Sequence, residues 1–273
     1  MNHWLTAPIL IPLLGGILQA LMAYAPITLR RTLALATTVL ILVSAIVLLV
    51  LANDGSYRIY AFGNWQPPFG IVLVLDRLAA LMLIMTSVLA LFCHLYAIGG
   101  ADEGNRQFHA LFLFQLMGLN IAFLTGDLFN LFVAFEVLLI ASYGLLMHGG
   151  GTIRTVPGLH YVVLNLIGSA IFLISVGMIY SVTGTLNMAD LAVKVPQVTG
   201  ESLNIVKAGG MMLHDSLTRG RVTAGGKNFP RVPFLLYPET AGEEEHSLGA
   251  ENPRDEKKIL PGRPQLEDED GPN

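Results

Sequence analysis

The hydrophobic pattern of this chain runs in long blocks, not at the period of an amphipathic helix or a half-buried strand. Mostly apolar runs cover about 4–24, 32–52, 76–98, 108–125, 128–147 and 160–182. An α-helix needs about 20 such residues to cross roughly 30 Å of hydrocarbon. The pattern predicts an all-α fold: a polytopic transmembrane helical bundle with about six spanning helices within residues 1–200. The first run mimics a secretory leader ending at Ala23-Tyr24-Ala25. It is expected to remain as a span, because no Lys or Arg precedes it, the stretch is long, and Pro26 would follow the cut. Residues 53–70 are too polar and proline-rich to span. Their Tyr57, Tyr60, Trp65 and Phe69 fit an interfacial segment, with room for a short strand or hairpin.

Beyond residue 200 the pattern changes. Residues 201–213 read as the start of an incomplete seventh span. Residues 214–273 carry Glu243-Glu244-Glu245, Asp255-Glu256-Lys257-Lys258, Glu267-Asp268-Glu269-Asp270 and 7 of the chain's 14 prolines. Such a composition buries too little apolar surface to offset ordering entropy, so a disordered, charged C-terminal tail is expected.

Composition sharpens this division. Charged residues make up 13% of the 273, against about 25% in soluble domains. Residues 1–200 hold only 14 of the 36 charges. A soluble enzyme is thereby disfavoured, and with a net charge of −4 there is no basic field for nucleic acid. The single cysteine, Cys93, lies in an apolar run, and no disulfide framework or cysteine-based metal site can be built from it. No two histidines sit at metal-ligand spacing within one helix, so no metal and no cofactor are expected. Placing Arg30 and Arg31 between spans one and two, Arg106 between three and four, and Arg154 between five and six, against Arg58 and Lys194 opposite, predicts an N-terminus outside the membrane.

Within the spans, the polar residues carry the information. Glu136 sits near the middle of span five, where an ionised carboxylate costs roughly 2.5–3.5 kcal/mol on insertion scales. Burial favours its neutral form, and a neighbouring cation or polar chain favours its charged form. That balance suits a proton relay. Span six offers a facing stripe: Tyr161, Asn165, Gly168, Ser169, Phe172 and Ser175 recur at helical spacing. Span one has a similar stripe of Pro8, Pro12, Gly15, Gly16 and Gln19, and packing explains either stripe. Asp127 is expected to cap span five. Asp76 and Arg77, at the entry of span three, suit an ion pair or a supporting role. His94, His109, His148 and His160 fall near span ends, where interfacial placement accounts for them.

Thr125-Gly126-Asp127-Leu128-Phe129-Asn130-Leu131-Phe132-Val133-Ala134-Phe135-Glu136-Val137 and the following Ala141-Ser142-Tyr143-Gly144-Leu145-Leu146 resemble span five of the D subunits of multisubunit Mrp-type Na+/H+ antiporters, also called Mnh or Pha. Tyr161 through Asp190 and Pro67-Pro68-Phe69-Gly70-Ile71 leading to Asp76-Arg77-Leu78 extend the resemblance over about residues 1–212. More distantly, the chain is similar to the antiporter-like subunits of respiratory NADH:quinone oxidoreductase. The resemblance implies a multi-pass subunit of the cell inner (plasma) membrane. Its partners would be the lipid bilayer and the other antiporter subunits, exchanging H+ for Na+ or K+. It also implies that Glu136 matches the family's essential carboxylate, which pairs with a lysine on span seven; Asp127, Asn165, Ser169, Asp76 and Arg77 would support it.

The chain departs from the family after Leu213, where no lysine with apolar helix on both sides follows; Lys194 reads as a loop residue and Lys207 as standing at a frayed helix entrance. The expectation is a frameshift, truncation or gene-model error near residue 213, and a polypeptide that does not transport alone. The chain then reads as an incomplete, non-functional version of such a subunit; two other readings are a proton-translocating subunit of an NADH:quinone oxidoreductase-like complex and a non-catalytic membrane assembly protein or non-functional fragment.

Overall fold

The computed structural model describes residues 3–65, 70–104, 106–148 and 152–222, with the side chains of 152–155, 157 and 218–222 left aside. The tail expected to be disordered lies outside the described residues from 223 onward. All described residues fall in one unit, residues 1–234.

Eight helices are present among the described residues: α1 Ala7–Leu21, α2 Ile27–Ala52, α3 Arg77–Ile98, α4 Phe108–Leu124, α5 Leu128–Leu146, α6 Thr152–Thr183, α7 Met188–Lys194 and α8 Glu201–Val222. Five helical segments are long and apolar enough to cross a membrane: His3–Leu21, Ile27–Ala52, Arg77–Ile98, Leu128–Leu146 and Gly158–Thr183. The sixth expected span, α4, has 17 residues. At 1.5 Å per residue it reaches about 25 Å, at the short end of what a bilayer accepts. The chain is a multi-pass helical membrane protein.

Three boundaries differ from the sequence expectation. Helix α2 starts at Ile27 behind Pro26, so Arg30 and Arg31 lie in its first turns and not in a loop. Helix α6 starts at Thr152, which takes Arg154 into its first turn. Helix α8 runs on to Val222, nine residues past the boundary drawn at 213, and Lys207 sits exposed well inside it rather than at a frayed end. Lys194 closes α7 and donates to the Thr183 carbonyl at 3.3 Å.

The interfacial loop does hold a hairpin. Strand β1, Arg58–Ala61, pairs antiparallel with β2, Val72–Leu75, with Arg58 opposite Leu75 and Ala61 opposite Val72. Asp76 then caps α3 by accepting from the Ala79 N–H at 2.7 Å, and Arg77 donates to the Asn53 carbonyl at 2.8 Å. Among the described residues the two form no ion pair with each other, because both are used locally to fix the hairpin to α2 and α3.

Packing follows the small-residue stripes. In α1, Pro8, Pro12, Gly16 and Gln19 are buried, as a packing face requires. Pro12 has no N–H to give the Pro8 carbonyl, and Asn120 of α4 supplies the missing donor at 2.7 Å. Helices α4 and α5 meet at Gly118, where a Cβ would stand 2.9 Å from the Leu138 nitrogen and 3.0 Å from the Ala134 oxygen. Neighbours in chain order pack together, α1 on α2, α2 on α3, α4 on α5 and α5 on α6, and two extensive contacts skip along the chain, α1 on α4 and α6 on α8.

Candidate functional site

Position along α5 is set by its first residues. Asp127 stands in extended conformation and its Oδ1 accepts from the N–H groups of Phe129 and Asn130 at 2.9 and 3.0 Å, satisfying two of the donors a helix start leaves free. Asn187 caps α7 in the same way. The two caps lie side by side: Leu128 N–H donates to Leu186 O and Met188 N–H to Gly126 O, both at 2.9 Å. The start of α5 is therefore tied to the turn between α6 and α7, which sets the register of α5 against the end of α6.

That register brings Glu136 against α6. Glu136 lies about 12 Å into α5, half-buried, and Ser169 donates its hydroxyl to Glu136 Oε1. A hydrogen bond to a charged group contributes about 1.5–3 kcal/mol, comparable to the insertion cost of the carboxylate. A hydroxyl can also turn and accept, so Ser169 suits Glu136 whether or not it carries a proton. On one side the carboxyl is fenced by rings: Phe172 stacks on Phe132 at 5.8 Å and meets Phe135 edge-on at 6.1 Å.

Towards the other end of α5 the interface becomes polar. Tyr143, two turns on from Glu136, meets Tyr161 of α6 edge-on at 5.6 Å and lies within electrostatic reach of Glu136 and Asn165. Of the expected site residues, then, Glu136, Ser169 and Asn165 converge on the α5–α6 interface. Asp127 positions that interface from its end, and Asp76 and Arg77 belong to the hairpin and stand apart. Among the described residues no Lys or Arg forms an ion pair with Glu136. Helix α8 approaches α6 closely at Gly209, where a Cβ would lie 3.1 Å from the Ser175 oxygen.

A second polar cluster corrects the reading of the histidines. His94 and His109 do lie near the ends of α3 and α4, but inside the protein: they are 0% and 1% exposed and joined at 3.1 Å between His94 Nε2 and His109 Nδ1. His109 Nε2 lies 3.2 Å from Asp102 Oδ2, and Arg31 grips the same carboxylate through two bonds of 2.7 and 2.6 Å. The Arg31 guanidinium holds the Asp102 carboxyl below its ordinary value near 3.8, against the opposing effect of burial. Asp102 is buried although its loop is rich in glycine and charge. A sequence signal for His94 did exist: Leu83, Ser87, Ala90, His94 and Ala97 recur at helical spacing as one buried face of α3.

Comparison with known proteins agrees with this architecture. Residues 125–217 match the family model described as "NADH:quinone oxidoreductase/Mrp antiporter, TM". The chain is 46% identical over 218 residues to a probable K(+)/H(+) antiporter D subunit of Rhizobium meliloti, covering 78% of this chain and 40% of that protein. It is 44% identical over 200 residues to the Na(+)/H(+) antiporter D subunit of Alkalihalophilus pseudofirmus, covering 72% and 40%. In the solved Mrp complex from Dietzia sp. DQ12-45-1b, one chain superposes with a TM-score of 0.69 at 32% identity, over 80% of this chain and 41% of that one. The chain thus spans about 40% of the length of these relatives. With the mid-span Glu136, its Ser169 partner and the paired caps all inside the matched segment, the chain belongs to the NADH:quinone oxidoreductase/Mrp antiporter membrane family, on the side of the antiporter D subunits.

Proposed function

We propose that this chain belongs to a membrane subunit of a multisubunit monovalent cation/proton antiporter, exchanging H+ for Na+ or K+, with Glu136 as the group that takes up and releases the proton. The observation that carries this reading is the Glu136–Ser169 contact: a carboxyl halfway along a spanning helix, partnered by a hydroxyl able to serve both of its protonation states. The line Glu136, Asn165, Tyr143, Tyr161 extends polar character about 10 Å from the carboxyl toward the C-terminal end of α5. The names of the relatives, K+/H+ and Na+/H+ antiporter subunits, support the substrates, and the Mrp complex supports other subunits of such an assembly as partners.

The orientation follows from charge. Arg30 donates to the Arg106 carbonyl at 2.8 Å, Arg31 binds Asp102, and His148 at the end of α5 contacts the Ala101 carbonyl at 2.9 Å. These groups gather at one end of the bundle. Basic residues favour the cytoplasmic face, which supports a plasma-membrane subunit with its N-terminus outside.

The test is cation-driven proton movement in everted vesicles from antiporter-deficient cells expressing the chain with its complex partners. Glu136→Gln is expected to abolish it, and intact antiport in that variant contradicts the assignment. The chain expressed alone is expected to give no cation-dependent signal. The family description also covers NADH:quinone oxidoreductases, so proton movement driven by NADH and insensitive to Na+ and K+ would favour that second reading.

A further inference from the structure

The buried polar groups that Glu136 does not use form a continuous line through α2, α3 and α4. It starts at Asp102, whose carboxylate is held by Arg31, which also reaches the exposed Glu103 at 3.3 Å, and passes to His109. From His109 it crosses to His94, and His94 Nδ1 ends it 2.9 Å from the hydroxyl of Thr38, which is fully buried. No gap along it exceeds 3.3 Å.

Donor and acceptor counting restricts this line to few settings. A neutral imidazole has one N–H and one bare nitrogen, and an imidazolium has two N–H groups. In one setting Thr38 donates to His94 Nδ1, His94 Nε2–H donates to His109 Nδ1, and His109 Nε2–H donates to Asp102. The Thr38 hydroxyl has a second acceptor at the same 2.9 Å, the Ala34 carbonyl. In the other setting Thr38 turns to Ala34, His94 carries its proton on Nδ1 and donates to Thr38 Oγ1, and His109 donates from both nitrogens, to His94 and to Asp102. Every group is satisfied in both settings, and they differ by one proton.

We propose that Thr38, His94, His109 and Asp102 form a proton-storing relay, a second proton site of this chain beside the start of the connection between α3 and α4. With one more proton taken up from solvent, His94 carries a proton on Nδ1 and its former Nε2 proton lies across the 3.1 Å contact on His109 Nδ1. His109 then holds two protons, one of them aimed at the Asp102 carboxylate. The charged and titratable groups around the pair are Arg30 and Arg31 from α2, Asp102, Glu103 and Arg106 from the loop, and His148 from the end of α5, whose ring lies 5.1 Å from that of Phe108. Arg31 keeps the acceptor end anionic, and Phe112, 4.5 Å from the His94 ring, keeps the flank apolar.

The proposal concerns proton occupancy and is independent of what Glu136 does. It is tested by 15N NMR of the full chain, labelled at histidine and held in lipid nanodiscs, titrated from about pH 8 to pH 5, the range in which histidine charge ordinarily changes. His94 and His109 are expected to take up one proton in a single shared step, seen as a tautomer change at His94 together with double protonation at His109. The second proton should be separated from the first by more than about one pH unit. In His109→Gln, and in the near-isosteric Thr38→Val, the His94 tautomer change is expected to disappear. Independent titration of the two histidines, or fixed tautomers for both across the range, overturns the relay. Because the wild-type titration alone decides between these outcomes, a variant that fails to fold does not leave the matter open.

Discussion

Two polar sites share this bundle, and they are built on opposite principles. The Asp102–His109–His94 line is fully buried, every member has partners on at least two sides, and its charge is compensated by Arg31. Glu136 is half-buried, held by the Ser169 hydroxyl, and paired with no cation among the described residues. In a medium that cannot solvate charge, the first arrangement fixes structure around a proton. The second leaves a carboxyl that can change state, because little has to be rearranged when it does. Protein partners and burial, more than depth in the bilayer, thus separate Asp102, a clamped carboxylate beside a histidine pair that shares a proton, from Glu136, which we propose as the working one.

The largest effect expected from breaking this contrast lies on the clamped side. Asp102→Asn removes the charge that holds Arg31 and His109 and leaves the guanidinium without its bidentate carboxylate. A marked drop in the unfolding midpoint of the detergent-solubilised protein is expected. The sign with pH also follows: a carboxyl held below its ordinary value contributes stability above that value and loses it as pH falls through the folded one. Unfolding midpoints measured down through pH 4 should therefore fall in the wild type and stay flatter in Asp102→Asn.

Gly118→Ala comes next. Its new Cβ would press on α5 backbone at 2.9–3.0 Å, and overpacking of this kind costs about 1–3 kcal/mol. The same unfolding assay should show the loss, together with weakened proton transport if α5 moves with Glu136.

On the working side the effects are smaller in stability and larger in function. Ser169→Ala removes the hydroxyl donor to Glu136, a bond worth about 1.5 kcal/mol; cation-driven proton flux should fall about tenfold, with a modest drop in midpoint. Asp127→Ala removes a helix cap and is expected to cost about 1 kcal/mol, read as a modest midpoint shift. An unchanged flux in Ser169→Ala would erase the distinction drawn between the two sites.

Much of this was legible in the residues themselves. The long apolar runs of 76–98 and 128–147 give α3 and α5 to within one or two residues, and Glu136 stands out because few charges share its depth. The stripe from Tyr161 to Ser175 is divided between two neighbours, Tyr161, Ser169 and Phe172 meeting α5 and Gly168 and Ser175 meeting α8, because small and polar residues at helical intervals have no stable place but an interface. What the pattern could not show are contacts between distant segments. Arg31 and Asp102 both read as loop charges, yet they meet across 71 positions and draw two histidines into the interior. Asp76 and Arg77 are neighbours in sequence but use different backbone partners, so adjacency suggested a pair the fold does not make. Lys207 falls inside α8 because the helix continues through a stretch whose composition had signalled its end.

Everything proposed for transport rests on Glu136 carrying the exchanged proton. The decisive measurement is Na+- or K+-driven proton flux in everted vesicles holding the assembled complex, compared between the wild type, Glu136→Asp and Glu136→Gln. Flux should be lost in Glu136→Gln and partly retained in Glu136→Asp, with equal amounts of every subunit in the membrane. Wild-type flux in Glu136→Gln would contradict the assignment.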